Sequence, residues 1–332
     1  LSTRSKKHRA KGKEIIVSKD WGFSHPGVYV RDFYKTLDYY QSLGIAVHRR
    51  NKASISKDET IQVIKIFGKV SDRPSKPQDP SKPRESSLEL LYIGDLELEV
   101  LAGPTTRPEG QALAYCEGIN HVCFNVPDID GETDKLVDKG LEIIFDLTRN
   151  GDRFEDYLDT REFGNVILSM RPPQGEGAVE RKAALGIVDW KFRGHGIVVN
   201  DLAKTLEAHK SWEFADIESE QLLDTGAMTD VAVYDKAPAT SIKARTCVAQ
   251  IGPIVYEFIE PVEGDAIYKE SLDRRGEGII DLIFTVKDLD KEFARLDARG
   301  VPVIFSGKTK NGAFAYFDTR PDGGDIMIKL EQ

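Results

Sequence analysis

The sequence predicts an α+β protein built from four strand-helix-three-strand (βαβββ) units, paired into two tandem modules. Three observations carry this expectation. The stretch EGINHVCFNVPDID, Glu117 to Asp130, returns as EGIIDLIFTVKDLD, Glu277 to Asp290, and the match continues through GLEIIF (from Gly140) with GVPVIF (from Gly300) and YLDTR (from Tyr157) with YFDTR (from Tyr316). The regions upstream repeat as well: HPGVYVRDFYKTLDYY, from His25, parallels GHGIVVNDLAKTLEAH, from Gly194, and IGDLELEVLAGP, from Ile93, parallels IGPIVYEFIEP, from Ile251. Within each copy the pattern divides again, because VYVRD, FNVPD, IVVND and FTVKD each read as a short strand that ends at an aspartate and runs into a helical period.

Taken in chain order, the opening LSTRSKKHRAKGK is densely basic and has no apolar stretch, so residues 1–21 are expected to form a disordered basic tail and not a secretory signal. Residues 22–173 make the first module. Inside it VSDRPSKPQDPSKPRESS, at 70–87, reads as a surface loop insert, because a run so rich in Pro, Ser and charge cannot build a core. In DIDGETDKLVDKG the apolar Ile129, Leu136 and Val137 recur at near-helical spacing and Gly140 stands where a helix would end; Phe293, Leu296 and Gly300 repeat the arrangement in DLDKEFARLDARG. Residues 174–189 read as a linker and 190–332 as the second module.

Composition narrows the function. A chain of 332 residues, 40% hydrophobic and 30% charged, can bury two cores. It contains no run of about 18 apolar residues, so membrane insertion is not expected. The net charge of -9 would repel a phosphate backbone, which argues against nucleic acid as a partner. Cys116, Cys123 and Cys247, an odd number without metal-finger spacing, suit a reducing, cytoplasmic compartment. The expected partner is a small-molecule substrate, with the chain a monomer or homodimer.

The four units, with motifs of the HxGIxVxD and IELLEP type, resemble the vicinal oxygen chelate superfamily, which includes glyoxalase I, methylmalonyl-CoA epimerase and the extradiol dioxygenases. The likeness covers nearly all of 22–332. VYEFIEPVEGDAIYKESLDRRGEGIIDLIFTVKDLD in the second module is similar to the epimerase branch, whereas two-module chains of this length are more typical of the dioxygenases. The resemblance implies glyoxalase-like modules with curved, cup-shaped mixed sheets and a divalent metal held from four strand positions. Carried over, those positions are His25, Glu99, His121 and Leu168 in the first module and Gly194, Glu257, Asp281 and Ile328 in the second. The first module thus keeps His25, Glu99 and His121 as metal ligands and lacks an acid at Leu168. The second is a degenerate site, in which Glu257 and Asp281 would repel unless protonated or countered. His195 is one residue out of phase and falls on the opposite face.

Strand alternation groups His121 with Cys123 and Asn125, His25 with Gly27 and Tyr29, and Glu99 with Glu97. Two imidazoles and a carboxylate suit one borderline divalent ion, Fe, Mn, Co, Ni or Zn, with positions left open for substrate. Cys123 reads as a small buried hydrophobe. The expected function is a metal-dependent epimerase, isomerase or lyase that stabilises an enolate or enediolate of an oxygen-chelating substrate. Glu97 is the candidate base in place of the missing acid, and Tyr29 a second catalytic candidate. An iron(II)-dependent extradiol-type dioxygenase and a non-catalytic small-molecule-binding protein are the alternatives. Arg149, Arg153 and Arg161 read as solvated surface residues or as holders of a substrate carboxylate.

Overall fold

A computed structural model of the chain describes residues 20–49, 62–70, 87–103, 117–173, 185–264 and 266–332. The basic tail before Asp20, most of the 70–87 insert and residues 174–184 of the linker lie outside the described residues.

In the first module the strands are β1 (Gly22–Tyr29), β2 (Ala46–Arg49), β3 (Gln62–Ile66), β4 (Lys69–Val70), β5 (Ser87–Ile93), β6 (Leu96–Ala102), β7 (Gly118–Asn125), β8 (Ile143–Arg149), β9 (Asp152–Thr160) and β10 (Val166–Arg171), with helices α1 (Phe33–Ser42) and α2 (Ile129–Asp138). They form one 10-stranded sheet in the order β2-β5-β6-β1-β7-β10-β9-β8-β3-β4. The two unit-opening strands, β1 and β7, meet antiparallel at its centre, while each runs parallel to the last strand of its own unit, β6 and β10. The hairpin β3-β4 is additional to the three strands expected after α1. It crosses to the far edge and pairs with β8.

The second module repeats this plan with β11 (Lys191–Val198), β12 (Asp216–Ile217), β13 (Gln221–Asp224), β14 (Thr229–Val233), β15 (Lys243–Ile251), β16 (Ile254–Glu263), β17 (Gly278–Ile279), β18 (Asp281–Thr285), β19 (Val303–Thr309), β20 (Gly312–Phe317) and β21 (Met327–Glu331), and with α3 (Leu202–Trp212), α4 (Ile267–Arg275) and α5 (Leu289–Asp297). Its 11-stranded sheet runs β12-β15-β16-β11-β18-β21-β20-β19-β14, with β13 also on β15 and β17 also on β11, and β14 on β19 takes the place that β3 takes on β8.

The recurring aspartate of the sequence is a helix cap. Asp32, Asp128, Asp201 and Asp288 each accept, through the side chain, the backbone N–H of the residue three positions on, at 2.9–3.1 Å. Each cap satisfies a donor that the first turn leaves unpaired, worth about 1 kcal/mol. The apolar stripes behind the caps bury Leu37 and Tyr40 of α1, Leu136 of α2, Leu206 of α3 and Leu296 of α5. Val137 and Phe293, expected in those stripes, are 40% and 44% exposed, because each lies at the margin of the arc its helix turns inward.

A single apolar cluster joins the outer faces of both sheets to these helices. Two tryptophans lock the modules together in a pseudo-symmetric way. Trp21, placed by the sequence reading in the basic tail, is buried and stacks on Phe214 at 5.8 Å. Its carbonyl lies against Gly252, and the Trp190 carbonyl lies against Gly94 in the matching turn. A Cβ on either glycine would come within 2.3 Å of that oxygen, and both have positive φ. Helix ends also cross the boundary: Lys139 donates to the Ser211 carbonyl at 2.7 Å and Arg299 to the Ser42 carbonyl at 3.3 Å, cations set at C-terminal carbonyls.

Candidate metal centre

The inner face of the first sheet, opposite the shared core, carries the predicted ligands. Glu99 on β6 and His121 on β7 both stand opposite Gly27 of β1. The His121 ring occupies the space a side chain there would need, with Cε1 at 1.8 Å from a Cβ added to Gly27. His25, two residues before Gly27 in unbroken register, lies on the same face, opposite Cys123. His25 Nε2 and His121 Nε2 then each lie 3.5 Å from one and the same oxygen, Oε2 of Glu99. The two rings are perpendicular, 5.7 Å apart, and their residues are only 3% and 0% exposed.

The tautomer of His121 follows from its neighbour. Its Nδ1 meets Asn120 Oδ1 at 2.7 Å, and an amide oxygen only accepts, so Nδ1 carries the hydrogen and Nε2 presents a lone pair. His25 Nδ1 meets Ser24 Oγ at 3.1 Å, a hydroxyl that can donate or accept and so serves either tautomer of the ring. Among the described residues neither Nε2 has a hydrogen-bond partner. Burial opposes the charge on Glu99, but the positive charge of the two imidazoles in their protonated form overcomes it and holds its carboxyl well below the usual carboxylate range. Burial lowers the pKa of His25, with Glu99 pulling the other way. Two imidazole nitrogens and a carboxylate oxygen converging on one point, with the His121 lone pair already presented there, make a coordination set that fits a divalent ion on its own geometry.

The fourth position differs from the expectation. β10 runs parallel to β7 with Ile167 opposite His121, Leu168 opposite Val122 and Ser169 opposite Cys123. Ser169, not Leu168, therefore shares the inner face. Leu168 turns the other way and lines a small cavity between the modules with His209, Tyr256 and Phe258. The carry-over failed by one residue, which on a strand reverses the face.

An acid nevertheless reaches the site, from β9. The ligand atoms of His25, Cys123 and Glu155 lie within 4.8 Å of one another, as do those of His25, Glu99 and His121. Glu155 Oε1 accepts from Ser169 Oγ at 3.4 Å and from the Tyr157 hydroxyl at 3.5 Å. Tyr157 stacks on His121 at 5.0 Å. Burial, reinforced by the charge of Glu99, raises the Glu155 pKa. Sequence reasoning missed Glu155 because it sought the acid at Leu168 and then, as a replacement, at Glu97 beside Glu99. The period of two in EDY, Glu155 to Tyr157, was the available signal. The Cys123 thiol is fully buried and pushed up to about 12, as suits a small hydrophobe.

The other sequence candidates fall elsewhere. Glu97 is buried beside the far nitrogen of His25, its Oε1 4.0 Å from Nδ1, and accepts from the Tyr92 hydroxyl at 3.0 Å. It stands behind His25 instead of facing the point where Nε2 is aimed. The Tyr29 hydroxyl donates to the Gly103 carbonyl, away from the three ligands. Arg153 pairs with Asp130, Asp134 and Asp156, Arg161 pairs with Asp159, and Arg149 lies over the Phe154 ring.

In the second module the same strands carry Gly194, Glu257 and Asp281, and a residue the sequence reading overlooked. Lys329, opposite Ile283, occupies the place of Ser169, while Ile328 faces the core. The Lys329 ammonium sits 2.7 Å from Glu257 Oε2 and 2.7 Å from Glu331 Oε1 and is 5% exposed. Asp281 accepts the Gly196 N–H at 2.8 Å, and burial pushes its carboxyl up to about 7. His195 lies on the opposite face, as alternation requires, its ring against Phe192 at 5.1 Å, and burial lowers it to about 3. The remaining inner face is an apolar cluster in which Tyr268 from α4 meets Tyr316, hydroxyl to hydroxyl, at 3.0 Å. Among the described residues, the groupings able to hold a metal are both in the first module, and no helix is long and apolar enough to cross a membrane.

Comparison with known proteins agrees with this architecture. Residues 22–167 and residues 195–317 each match a family described as the glyoxalase/bleomycin resistance protein/dioxygenase superfamily. No curated protein matches the chain. A mutant of 4-hydroxymandelate synthase from Streptomyces coelicolor is similar over 95% of this chain and 93% of its own, with 14% identity and a TM-score of 0.62. A xylose isomerase-like TIM barrel/4-hydroxyphenylpyruvate dioxygenase fusion protein covers 95% of this chain and 49% of its own, with 12% identity and a TM-score of 0.51. Methylmalonyl-CoA epimerase from Mycobacterium tuberculosis covers 42% of this chain and 86% of its own, with 20% identity and a TM-score of 0.34. At these identities the likeness is one of fold.

Proposed function

Because the chain belongs to the glyoxalase/bleomycin resistance protein/dioxygenase superfamily, we propose that its first module is a divalent-metal-dependent enzyme in which His25, Glu99 and His121 hold the ion. The observation that carries this reading is the convergence of two unpartnered Nε2 atoms on Glu99 Oε2, each at 3.5 Å. The ion so held supplies Lewis-acid stabilisation of negative charge developing on a substrate oxygen. Glu155 takes a proton from the carbon beside a substrate carbonyl and returns it. It lies on the same face within reach of His25, and burial raises its pKa above the usual carboxylate range, which strengthens it as a base. The Ser169 and Tyr157 hydroxyls orient its Oε1. Glu97 is a positioning residue behind His25 and not the base. The reaction class is epimerisation, isomerisation or elimination on a small oxygen-chelating substrate, and which metal serves is left to measurement.

Elemental analysis and visible spectra of the Co²⁺-loaded chain test the metal site. One ion per chain is expected, and none after His25→Ala or His121→Ala; full metal content in either variant refutes the site. The chemistry is tested by NMR of carbon acids in D₂O. Metal-dependent exchange should stop in Glu155→Gln with metal retained, and exchange that continues in that variant removes Glu155 as the base.

A second reading follows from the donor set itself. Two His and one Glu leave positions open for substrate and O₂ together, the arrangement of iron(II) oxygenases. Anaerobic iron loading followed by oxygen-uptake assays with catechols and 2-oxo acids separates the two; uptake would replace the isomerase reading. A non-catalytic binder would take its ligand equally well after chelation of the metal.

A further inference from the structure

We infer that Arg171 is a subsite for a carboxylate of the substrate, so that the first module acts on an oxygen-chelating carboxylic acid; this rests on the metal-enzyme reading above. Arg171 ends β10 opposite Asn125 and follows Ile167 and Ser169 along the inner face. Its Nε donates to Asn125 Oδ1 at 3.5 Å and its Nη2 donates to Ser24 Oγ. Ser24 in turn meets His25 Nδ1, so the guanidinium is tied directly into the metal centre. Two neutral acceptors hold the plane of the group without neutralising it.

Among the described residues no carboxylate stands at ion-pair distance from Arg171, although the side chain is half-buried. Arg153, Arg161, Arg193, Arg245, Arg275 and Arg320 all have such a partner. A half-buried cation without a counter-ion is costly unless a ligand supplies one. The second module shows the completed version. There the position of Arg171 is Glu331, opposite Thr285, and the position of Ser24 is Arg193, which pairs with Glu331 at 3.5 Å. The charges are exchanged between the two positions and cancel internally. In the first module the guanidinium remains and the acid is absent.

A carboxylate fits better than a phosphate. The planar fork of arginine matches a planar two-oxygen group, and Glu97, Glu99 and Glu155 already place three acids on this face, which penalises a dianion more than a monoanion.

The test uses the full chain loaded with Co²⁺ and hydroxamate probes that share one chelating head. Acetohydroxamate has no further charge; the monohydroxamates of succinic and glutaric acid add a carboxylate at increasing reach. At least one carboxylated probe should bind about tenfold more tightly than acetohydroxamate. That preference should fall close to one in Arg171→Met and return in part in Arg171→Lys. No preference in the unaltered chain, or one that survives Arg171→Met, overturns the proposal. Because the ratio is taken within each protein, weakened metal binding cannot imitate the result. If Co²⁺ is not taken up at all, the metal reading fails separately. Calorimetric titration of metal-free protein with glutarate and with its dimethyl ester then decides: binding of glutarate that needs Arg171 sustains the subsite, and its absence overturns it.

Discussion

The two modules place equivalent strands around equivalent inner faces and solve the same electrostatic problem in opposite ways. In the first, the Nε2 atoms of His25 and His121 face the Glu99 carboxylate, a set that the proposed cation from outside would complete. In the second, histidine is absent from these positions and the cation is covalently part of the chain, the Lys329 ammonium between Glu257 and Glu331. A buried acid needs a positive partner in either case. Histidines leave that partner exchangeable, whereas a lysine makes it permanent and turns the second inner face into core, packed with Phe305, Tyr316 and Met327.

The strongest way to break this comparison is to count metal in both halves. Glu257→Gln and Asp281→Asn are expected to leave the bound ion untouched, while Glu99→Gln reduces it to background; loss of metal in the second-module variants would mean that the ion sits there. Next in size is the internal cation. Lys329→Met leaves two acids facing each other in a buried site and should destabilise the chain by about 3–5 kcal/mol, read from urea unfolding. Adding Glu257→Gln to it should recover part of that loss. A neutral effect would show that Lys329 is not the charge balance of the second module.

A smaller effect is expected from the group that sets the His121 tautomer. Asn120→Ala should weaken metal binding by roughly 10–100-fold, because nothing then holds the hydrogen on Nδ1. Equal affinity would show that the ring is oriented by Tyr157 stacking alone. The smallest effect concerns Asp281, whose carboxyl is raised from 3.8 to about 7 by burial. The folded chain keeps a proton there that the unfolded chain releases, so this residue's contribution is most favourable below pH 3.8 and declines as pH rises to about 7. Asp281→Asn should remove that slope, adding about 1–2 kcal/mol above pH 7 and almost nothing in acid. Unfolding curves collected across this range check the sign, and a constant difference at every pH would exclude the ionisation as its cause.

Much of the candidate metal centre was legible because its residues sit inside repeated motifs. His25, Glu99 and His121 came from the alignment of one unit with another, and the side-chain geometry brings them to one point. Leu168 was misplaced because a count from a glycine turn does not fix the phase of the next strand, and a shift of one residue changes which side chain faces inward. Glu155 was missed for a different reason: β9 lies beside β10, so a residue distant from the expected position in sequence becomes its neighbour in space. Arg153 and Arg161 looked like substrate-binding cations until their own acids were seen, while Arg171, at the end of the strand that carries Leu168, lacks one among the described residues.

By itself the sequence determined the four units, the aspartates that start their helices, and the pairing of units into modules, because these depend on local periodicity and on chemistry within a few residues. Only the tertiary structure decided which acids and cations meet. Strand order and register set those contacts, and Lys329 with Glu257, 72 residues apart in the chain, or Arg171 with Ser24, 147 apart, are brought together by pairing that no local pattern encodes.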